Sequence, residues 1–245
     1  MAEIKPYETE KTKRQEVEEM FDGIAKHYDL LNHVLSVGID KSWRRKSVGM
    51  LEEATSQQRL QEILDVATGT GDLAICVQRA TGSKVTGTDI SSEMLKIAES
   101  KVKKEGLEGD ISLFTADATK LPFSSNRFDA VTVAFGVRNF GDLDAGLAEM
   151  QRVLKPGGLV VILEFSRPSN RLFRVVYDFY FKNILPLIGG AISKDKKAYD
   201  YLCRSALAFP CGEEFESHLE GVGFKPIRRE EMTFGIATAY LAKKR

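Results

Sequence analysis

The chain has 245 residues, 35 Lys+Arg against 35 Asp+Glu, 43% apolar and 29% charged. This is the composition of a folded domain; it excludes disordered, collagen-like and disulfide-scaffold proteins, and zero net charge disfavours a nucleic-acid binder. The longest stretches without Lys, Arg, Asp or Glu are Asn183–Ser193 and Met232–Ala242, each about half of the roughly 20 residues a membrane-spanning helix needs. The charged N-terminus MAEIKPYETEKTKRQEVEEMF lacks the apolar region of a secretory signal. Cys76, Cys203 and Cys211 are scattered without C-x-x-C, and His27, His33 and His218 have no ligand spacing. The expectation is a cytoplasmic protein in a reducing compartment, without a metal.

In chain order, the first 20 residues are mostly charged and predict a loosely packed N-terminal helix, followed by two or three short helices over 21–55. From Glu62 the pattern changes. Glu62–Thr68 is an apolar run feeding Gly-Thr-Gly, hence a buried strand and a tight turn. Asp72–Arg79 reads as a helix and Lys84–Ile90 as a strand; Ser92–Glu105 reads as a helix with Ser91 or Ser92 as N-cap. Ile111–Ala116 and Phe128–Phe135 are the third and fourth strands, Leu143–Leu154 a helix stopped by Lys155-Pro156-Gly157-Gly158, and Leu159–Phe165 the fifth strand. Such alternation predicts a parallel sheet covered on both faces. Residues 170–190 are aromatic and apolar; Gly212–Gly221 is a short helix; Lys225–Met232 and Ile236–Lys243 close the fold as an antiparallel pair. The expectation is one α/β domain, Rossmann-like, with a seven-stranded mostly parallel sheet and an antiparallel last strand. It divides into an N-terminal helical cap (1–55), a cofactor-binding core (62–166), a helical insertion or substrate cover (167–211) and a C-terminal helix and strand pair (212–245).

Gly69-Thr70-Gly71-Asp72-Leu73-Ala74 fits G-x-G-x-x-[G/A] between a strand and a helix, where Gly69 and Gly71 allow a sharp turn and close ligand approach. Asp89 ends the second strand 18 residues after Gly71, where a carboxylate can accept from both ribose hydroxyls. Asp117, ending the third strand, can accept an adenine amino group. Two cofactor classes fit: a dinucleotide, or S-adenosylmethionine (AdoMet). A pyrophosphate at the helix N-terminus would meet the negative charge of Asp72. AdoMet carries a sulfonium and an ammonium instead, so Asp65 and Asp72 both favour it.

The order L-D-V-A-T-G-T-G-D (64–72), Asp89, A-D-A-T-K-L-P-F (116–123), F-D-A-V (128–131) and L-K-P-G-G (154–158) resembles the class I AdoMet-dependent methyltransferases. Phe21–Arg45 (FDGIAKHYDLLNHVLSVGIDKSWRR) and Arg152–Pro168 (RVLKPGGLVVILEFSRP) resemble the two signature segments of the ubiquinone/menaquinone biosynthesis C-methyltransferases. Phe135–Asn139 resembles that family's F-G-x-R-N, and Ala198–Pro210 with Gly223-Phe224 its C-terminal pattern. The resemblance spans nearly the whole chain from about residue 16. It implies C-methylation of a demethylated isoprenoid quinol, with 2-demethylmenaquinol favoured over a methoxy-polyprenyl-benzoquinol. Another small-molecule acceptor and a non-catalytic AdoMet-binding subunit of a quinone-synthesis complex stand as alternatives. By position the resemblance makes Thr70, Asp89, Asp117 and Ala118 cofactor contacts; a Ser found in some members just before F-G-x-R-N is Ala134 here, so that contact is not expected.

Transfer to a quinol carbon needs an adjacent ring oxygen deprotonated or polarised. Arg138, just past the fourth strand, is the candidate for stabilising the phenolate or ordering a basic water. His27 is a candidate base, Tyr28 a base or cofactor contact, and Asn139 a candidate for orienting the quinol; Trp43 and Phe21 read as core. Residues 167–200 hold seven Lys/Arg against three Asp/Glu, interleaved with Leu172, Phe173, Val175, Val176, Tyr177, Phe179, Tyr180 and Phe181. That stretch suits either a reversible contact with the inner face of an anionic membrane or a wall of the substrate pocket. A homodimer is compatible with these readings and is not fixed by them.

Overall fold

The computed structural model describes residues 4–36, 38–55, 59–168, 174 and 195–245. The elements in order are α1 (Lys13–Ser36), α2 (Asp40–Ala54), β1 (Glu62–Val66), α3 (Asp72–Thr81), β2 (Lys84–Asp89), α4 (Ser92–Lys104), β3 (Ile111–Thr115) and β4 (Phe128–Ala134). They continue with a 3-10 turn (Val137–Asn139), α5 (Leu143–Val153), β5 (Leu154–Phe165), α6 (Lys196–Ala208), α7 (Glu213–Gly221), β6 (Phe224–Met232), a second 3-10 turn (Thr233–Gly235) and β7 (Ala237–Lys244).

Among the described residues the seven strands form one sheet in the order β3-β2-β1-β4-β5-β7-β6. Pairings from β3 through β5 are parallel, and β7 runs antiparallel to both β5 and β6, as the alternating pattern predicts. The two-residue period of the strands decides which side chains go where. Ile63, Val85, Val161 and Leu163 face a core closed by Trp43, Val48 and Leu51 of α2 and Leu73 and Val77 of α3. Leu64, Val66, Val131, Val133 and Ile162 face the other core, closed by Leu147 and Met150 of α5 and Phe215 and Leu219 of α7. β1 pairs with β2 on one side and β4 on the other, so the strand order reverses beside it. In an open α/β sheet the crevice beyond the strand ends at that reversal is where ligands bind.

Two regions differ from expectation. The N-terminal region is one 24-residue helix, α1, then the 15-residue α2, rather than a loose helix and two or three short ones. Val17, Met20, Ile24 and Ala25 of α1 are buried against Met94 of α4 and Ala198, Tyr199 and Tyr201 of α6. Its charged appearance hid this because the apolar stripe is narrow. Glu16, within the charged run, is fully buried and accepts from the Thr9 hydroxyl and the backbone N–H of Tyr7, Glu8 and Thr9; burial raises its pKa, but those bonds prevail and hold it at about 2. In the second region, β5 begins at Leu154 and includes the Lys155–Gly158 stretch. The ladder passes from Leu154 opposite Phe128 to Leu159 opposite Ala130, and the bulged Lys155 is pinned by its ammonium to Asp129 Oδ1 at 2.6 Å. Most of the basic aromatic stretch 167–200, including all eight of its named apolar residues, lies outside the described residues. No helix among the described residues is long and apolar enough to cross a membrane.

Candidate active site

A cleft opens at the ends of β1 to β4. Its floor is the meeting of β1 and β4: Ala67 and Gly69 follow one strand, Ala134, Phe135 and Gly136 end the other. The approach is close. A Cβ built on Gly136 would lie 2.6 Å from the Ala67 Cβ, which only glycine avoids. Ala67 (φ 51°) and Phe135 (φ 59°) are both non-glycine residues in the left-handed region. Strain of that kind costs on the order of 1–3 kcal/mol and concentrates at functional sites. Gly69 also has positive φ (+56°), and a Cβ there would meet nothing within 4 Å, so its backbone is open to a ligand. Gly71 serves packing instead. At φ +83° it caps α3, and a Cβ would press on the Ala98 Cβ at 3.1 Å. Of the two glycines, Gly69 lines the cleft and Gly71 packs α3 onto α4.

Asp89 closes the turn from the side. Its Oδ2 accepts from Gly69 N–H at 2.8 Å and its Oδ1 from Ser91 N–H at 2.9 Å. Ser91 in turn caps α4 by accepting from Met94 N–H at 3.1 Å. A carboxylate has about four acceptor positions, so the N–H groups of Gly69, Ser91 and Ile90 leave at least one for a ligand. Burial pushes the Asp89 carboxyl up to about 6, against the lowering effect of the N–H donors of Ser91, Gly69 and Ile90. Asp117 and Ala118 line the same cleft beyond β3. Asp117 Oδ1 accepts from Thr119 N–H and Oγ1–H, both at 2.8 Å, and its Oδ2 meets Arg14 Nε at 2.9 Å.

Helix α1 supplies the outer wall through Arg14, Val17, Phe21 and Tyr28, with Phe21 and Tyr28 edge to face at 5.9 Å. Phe21 packs against the α1 core, as expected, and also lines the cleft, and Trp43 is buried, its indole N–H donating to Thr233 Oγ1 at 2.8 Å. His27 is exposed and does not line the cleft, because one residue along a helix turns the side chain by about 100°. Thr70 is buried, and its hydroxyl donates to Asp29 Oδ1 at 2.6 Å rather than facing the cleft. Arg14, Asp29 and Lys101 escaped sequence reasoning. The spacing of Arg14, Val17, Phe21 and Tyr28 on one helical face is the signal that would have found Arg14.

Arg138 and Asn139 follow β4 on the 3-10 turn. Asn139 lines the cleft. The Arg138 guanidinium is 5% exposed and pairs with the fully buried Glu164 of β5 at 2.7 Å. It also donates to Phe135 O at 2.5 Å and lies 5.2 Å from the Phe165 ring centre. Burial raises the Glu164 carboxyl while Arg138 opposes that rise. Arg138, the candidate for stabilising the phenolate, is not among the residues that line the cleft, and its charge is met by Glu164. Its Nε and the Asn139 Oδ1 are buried and lack hydrogen-bond partners among the described residues, which costs free energy unless something else meets them.

Two acids expected to favour a cationic ligand are differently placed. Asp65 is fully buried beneath the floor, accepting from Thr68 Oγ1 at 2.6 Å and Thr132 Oγ1 at 2.7 Å. Asp72 is neutralised by Arg44 at 3.0 Å and Lys101 at 2.7 Å. The charge of Asp72 therefore does not discriminate against a phosphate, and that part of the sequence argument fails. What fits AdoMet is the open Gly69 backbone, the Asp89 carboxylate with an acceptor position to spare, and the apolar wall of Val17, Phe21, Ile90 and Met94.

Seven strands in this order, with this crevice, are the class I AdoMet-dependent methyltransferase fold. Solved structures agree on the fold. A SAM-dependent methyltransferase from Aquifex aeolicus superposes with a TM-score of 0.59 at 21% identity, over 81% of this chain and 89% of that one. A Haemonchus contortus phosphoethanolamine N-methyltransferase 2, solved in complex with S-adenosyl-L-methionine, gives 0.59 at 19% identity over 81% of this chain and 52% of that one. The family model for the ubiE/COQ5 methyltransferases matches residues 9–244, and the chain belongs to that family. It is similar to the demethylmenaquinone methyltransferase of Bacteroides fragilis, at 49% identity over 98% of this chain and 97% of that protein. It is also similar to the ubiquinone/menaquinone biosynthesis C-methyltransferase UbiE of Geotalea daltonii (47%, covering 95% and 97%) and the demethylmenaquinone methyltransferase of Thermus thermophilus (45%, covering 92% and 100%).

Proposed function

We propose that the protein methylates a ring carbon of a demethylated isoprenoid quinol, with 2-demethylmenaquinol as the acceptor. The observation that carries this reading is the cleft itself. Two acids from successive strand ends, Asp89 and Asp117, and an open glycine backbone line it beside the buried, unmatched Arg138 Nε and Asn139 Oδ1. The names of relatives sharing 45–49% identity over nearly the full chain favour the naphthoquinol. AdoMet supplies an electrophilic methyl group on a sulfonium. The chain has to hold donor and acceptor carbon at near-attack distance, roughly 3–3.5 Å, and exclude water.

In this reading Asp89 accepts from the ribose hydroxyls, Asp117 and Ala118 contact the adenine, Gly69 lets the backbone approach, and Tyr28 closes the outer side. Thr70 acts through its neighbours on the turn. Arg138 Nε–H donates to the ring oxygen next to the reacting carbon, stabilising it as its proton passes to water, and Asn139 Oδ1 accepts from the ring's other hydroxyl; as the methyl moves from sulfur to carbon, leaving adenosylhomocysteine, the displaced ring C–H proton is likewise lost to water. Glu164 fixes the guanidinium. His27 takes no part, being on the outer face of α1. The prenyl tail brings the reaction to a bilayer surface, and the basic aromatic stretch 167–200 is read as the contact and as cover for the acceptor. Flotation with anionic liposomes at low salt tests that contact, and a protein that stays at the bottom of the gradient refutes it. The lipid quinone profile of cells lacking the protein tests the substrate. Accumulation of 2-demethylmenaquinone supports the reading; accumulation of a demethylated benzoquinone, or an unchanged profile, overturns it.

A further inference from the structure

Helix α1 is fastened to the loop beyond each of three neighbouring strands. Arg14 Nε meets Asp117 Oδ2 beyond β3 at 2.9 Å, Asp22 Oδ1 accepts from Ser91 Oγ beyond β2 at 2.6 Å, and Asp29 Oδ1 accepts from Thr70 Oγ1 beyond β1 at 2.6 Å. Positions 14, 22 and 29 are separated by about two helical turns each, so the three pins form a stripe beside the cleft-facing Val17, Phe21 and Tyr28. The third pin is the most elaborate. Lys101 Nζ lies 2.6 Å from Asp29 Oδ2, 2.7 Å from Asp72 Oδ1 and 3.0 Å from Thr70 Oγ1. Arg44 holds the other Asp72 oxygen at 3.0 Å and is itself bound to Asp40 at 2.5 Å. A single ammonium thus joins the outer helix α1, the start of α3 and the middle residue of the glycine turn. It is 27% exposed, and its two acids are 31% exposed, so the contacts are only partly screened by solvent.

Thr70 stands next to Gly69, whose N–H is held by Asp89 and whose backbone opens on the cleft. A force on the Thr70 hydroxyl therefore bears on the turn that a cofactor must approach and on the helix that covers it. We infer that Asp29 and Lys101 are positioning residues that latch α1 to the Gly69–Gly71 turn, so that cofactor enters and leaves only when this latch opens. The inference rests on the cofactor half of the functional reading and is independent of which quinol is methylated.

The test is calorimetric binding of S-adenosylhomocysteine, with AdoMet-dependent kinetics and hydrogen exchange of α1, on wild type, Lys101→Met, Lys101→Arg and Asp29→Asn. Asp29→Asn preserves shape and the acceptor for Thr70 but removes the charge, so it carries the test should Lys101→Met fail to fold. Losing a charge-assisted contact is expected to raise Kd for adenosylhomocysteine and KM for AdoMet about tenfold in Lys101→Met and Asp29→Asn. In both, kcat at saturating AdoMet stays within about twofold of wild type, because the contact acts on closure and not on transfer. Exchange in α1 speeds up in the ligand-free variants, and Lys101→Arg restores affinity. Wild-type affinity in Lys101→Met and Asp29→Asn, a fall in kcat with KM unchanged, or no rescue by Lys101→Arg overturns the latch alone. Failure of the wild-type protein to bind adenosylhomocysteine overturns the functional reading and the latch together.

Discussion

At the scale of single residues, the chemistry of the cleft turns on the protonation of Asp89. Its carboxyl titrates near 6 because it is buried, even with Ser91, Gly69 and Ile90 donating to it. With the ribose contact proposed for Asp89, only the ionised form accepts from both hydroxyls, and those donors favour the charged form, so cofactor binding is expected to lower the pKa and release a proton near pH 6. Affinity for adenosylhomocysteine is then full above about pH 7 and weakens by up to about tenfold per pH unit on acidification below 6. Calorimetry in buffers of different ionisation heat reads both effects, and in Asp89→Asn the slope disappears along with most of the affinity. For folding the sign is opposite. A carboxyl whose pKa is raised holds its proton more tightly folded than unfolded. Asp89, and Asp65 pushed up to about 7, therefore stabilise the protein less as pH rises from about 4 to 7. Asp89 was legible from sequence through its distance from the glycine turn. The pairing of Arg138 with Glu164 was not, because the partner lies 26 residues away on another strand and only the β4–β5 register brings the two together. Truncating Arg138 alone would leave a buried carboxyl unmatched, so loss of activity in that variant mixes chemistry with stability.

At the scale of elements, α1 changes most between expectation and structure. A run of charged residues with few apolar ones suggested a helix that packs loosely, yet Met20 is fully buried and Ile24 nearly so. The apolar stripe is narrow, and the solvent-facing side dominates the composition. The polar face is also occupied, through Glu16, Asp22 and Asp29, by contacts that no local pattern announces. Met20→Ala should therefore cost about 2–5 kcal/mol in denaturant unfolding, as for a core methionine, and not the near-zero change of a loose helix. By contrast, the strands and helices from Glu62 to Phe165 were legible nearly to the residue. The apolar runs of β1, β2, β4 and β5 are buried on both faces, and element ends carry glycine, proline or capping residues such as Ser91 and Asp142. The exception at Lys155–Gly158 has a plain cause. Proline and two glycines read as a stop, but here they form a bulge inside β5, pinned through Lys155 to Asp129.

At the scale of the whole molecule, the strand reversal at β1 and β4 fixes where the reaction can occur, and α1 converts an open crevice into a bounded cleft. The sheet selects the class of cofactor site, because successive strand ends present Gly69, Asp89 and Asp117 to one cleft. The acceptor side proposed above lies by β4 and β5, where Asn139, Arg138, Glu164, Phe135 and Phe165 converge through tertiary packing alone. That is why a nucleotide-type cofactor site could be read from spacing, while AdoMet in particular and the quinol acceptor were read from resemblance. The central claim is transfer of a methyl group from a sulfonium to a quinol ring carbon. It is tested most directly by incubating the purified protein with methyl-deuterated AdoMet and reduced 2-demethylmenaquinone and locating the label by mass spectrometry and NMR. The expected product is menaquinol with one intact labelled methyl on the ring carbon; no transfer, or a label found on oxygen, would contradict it.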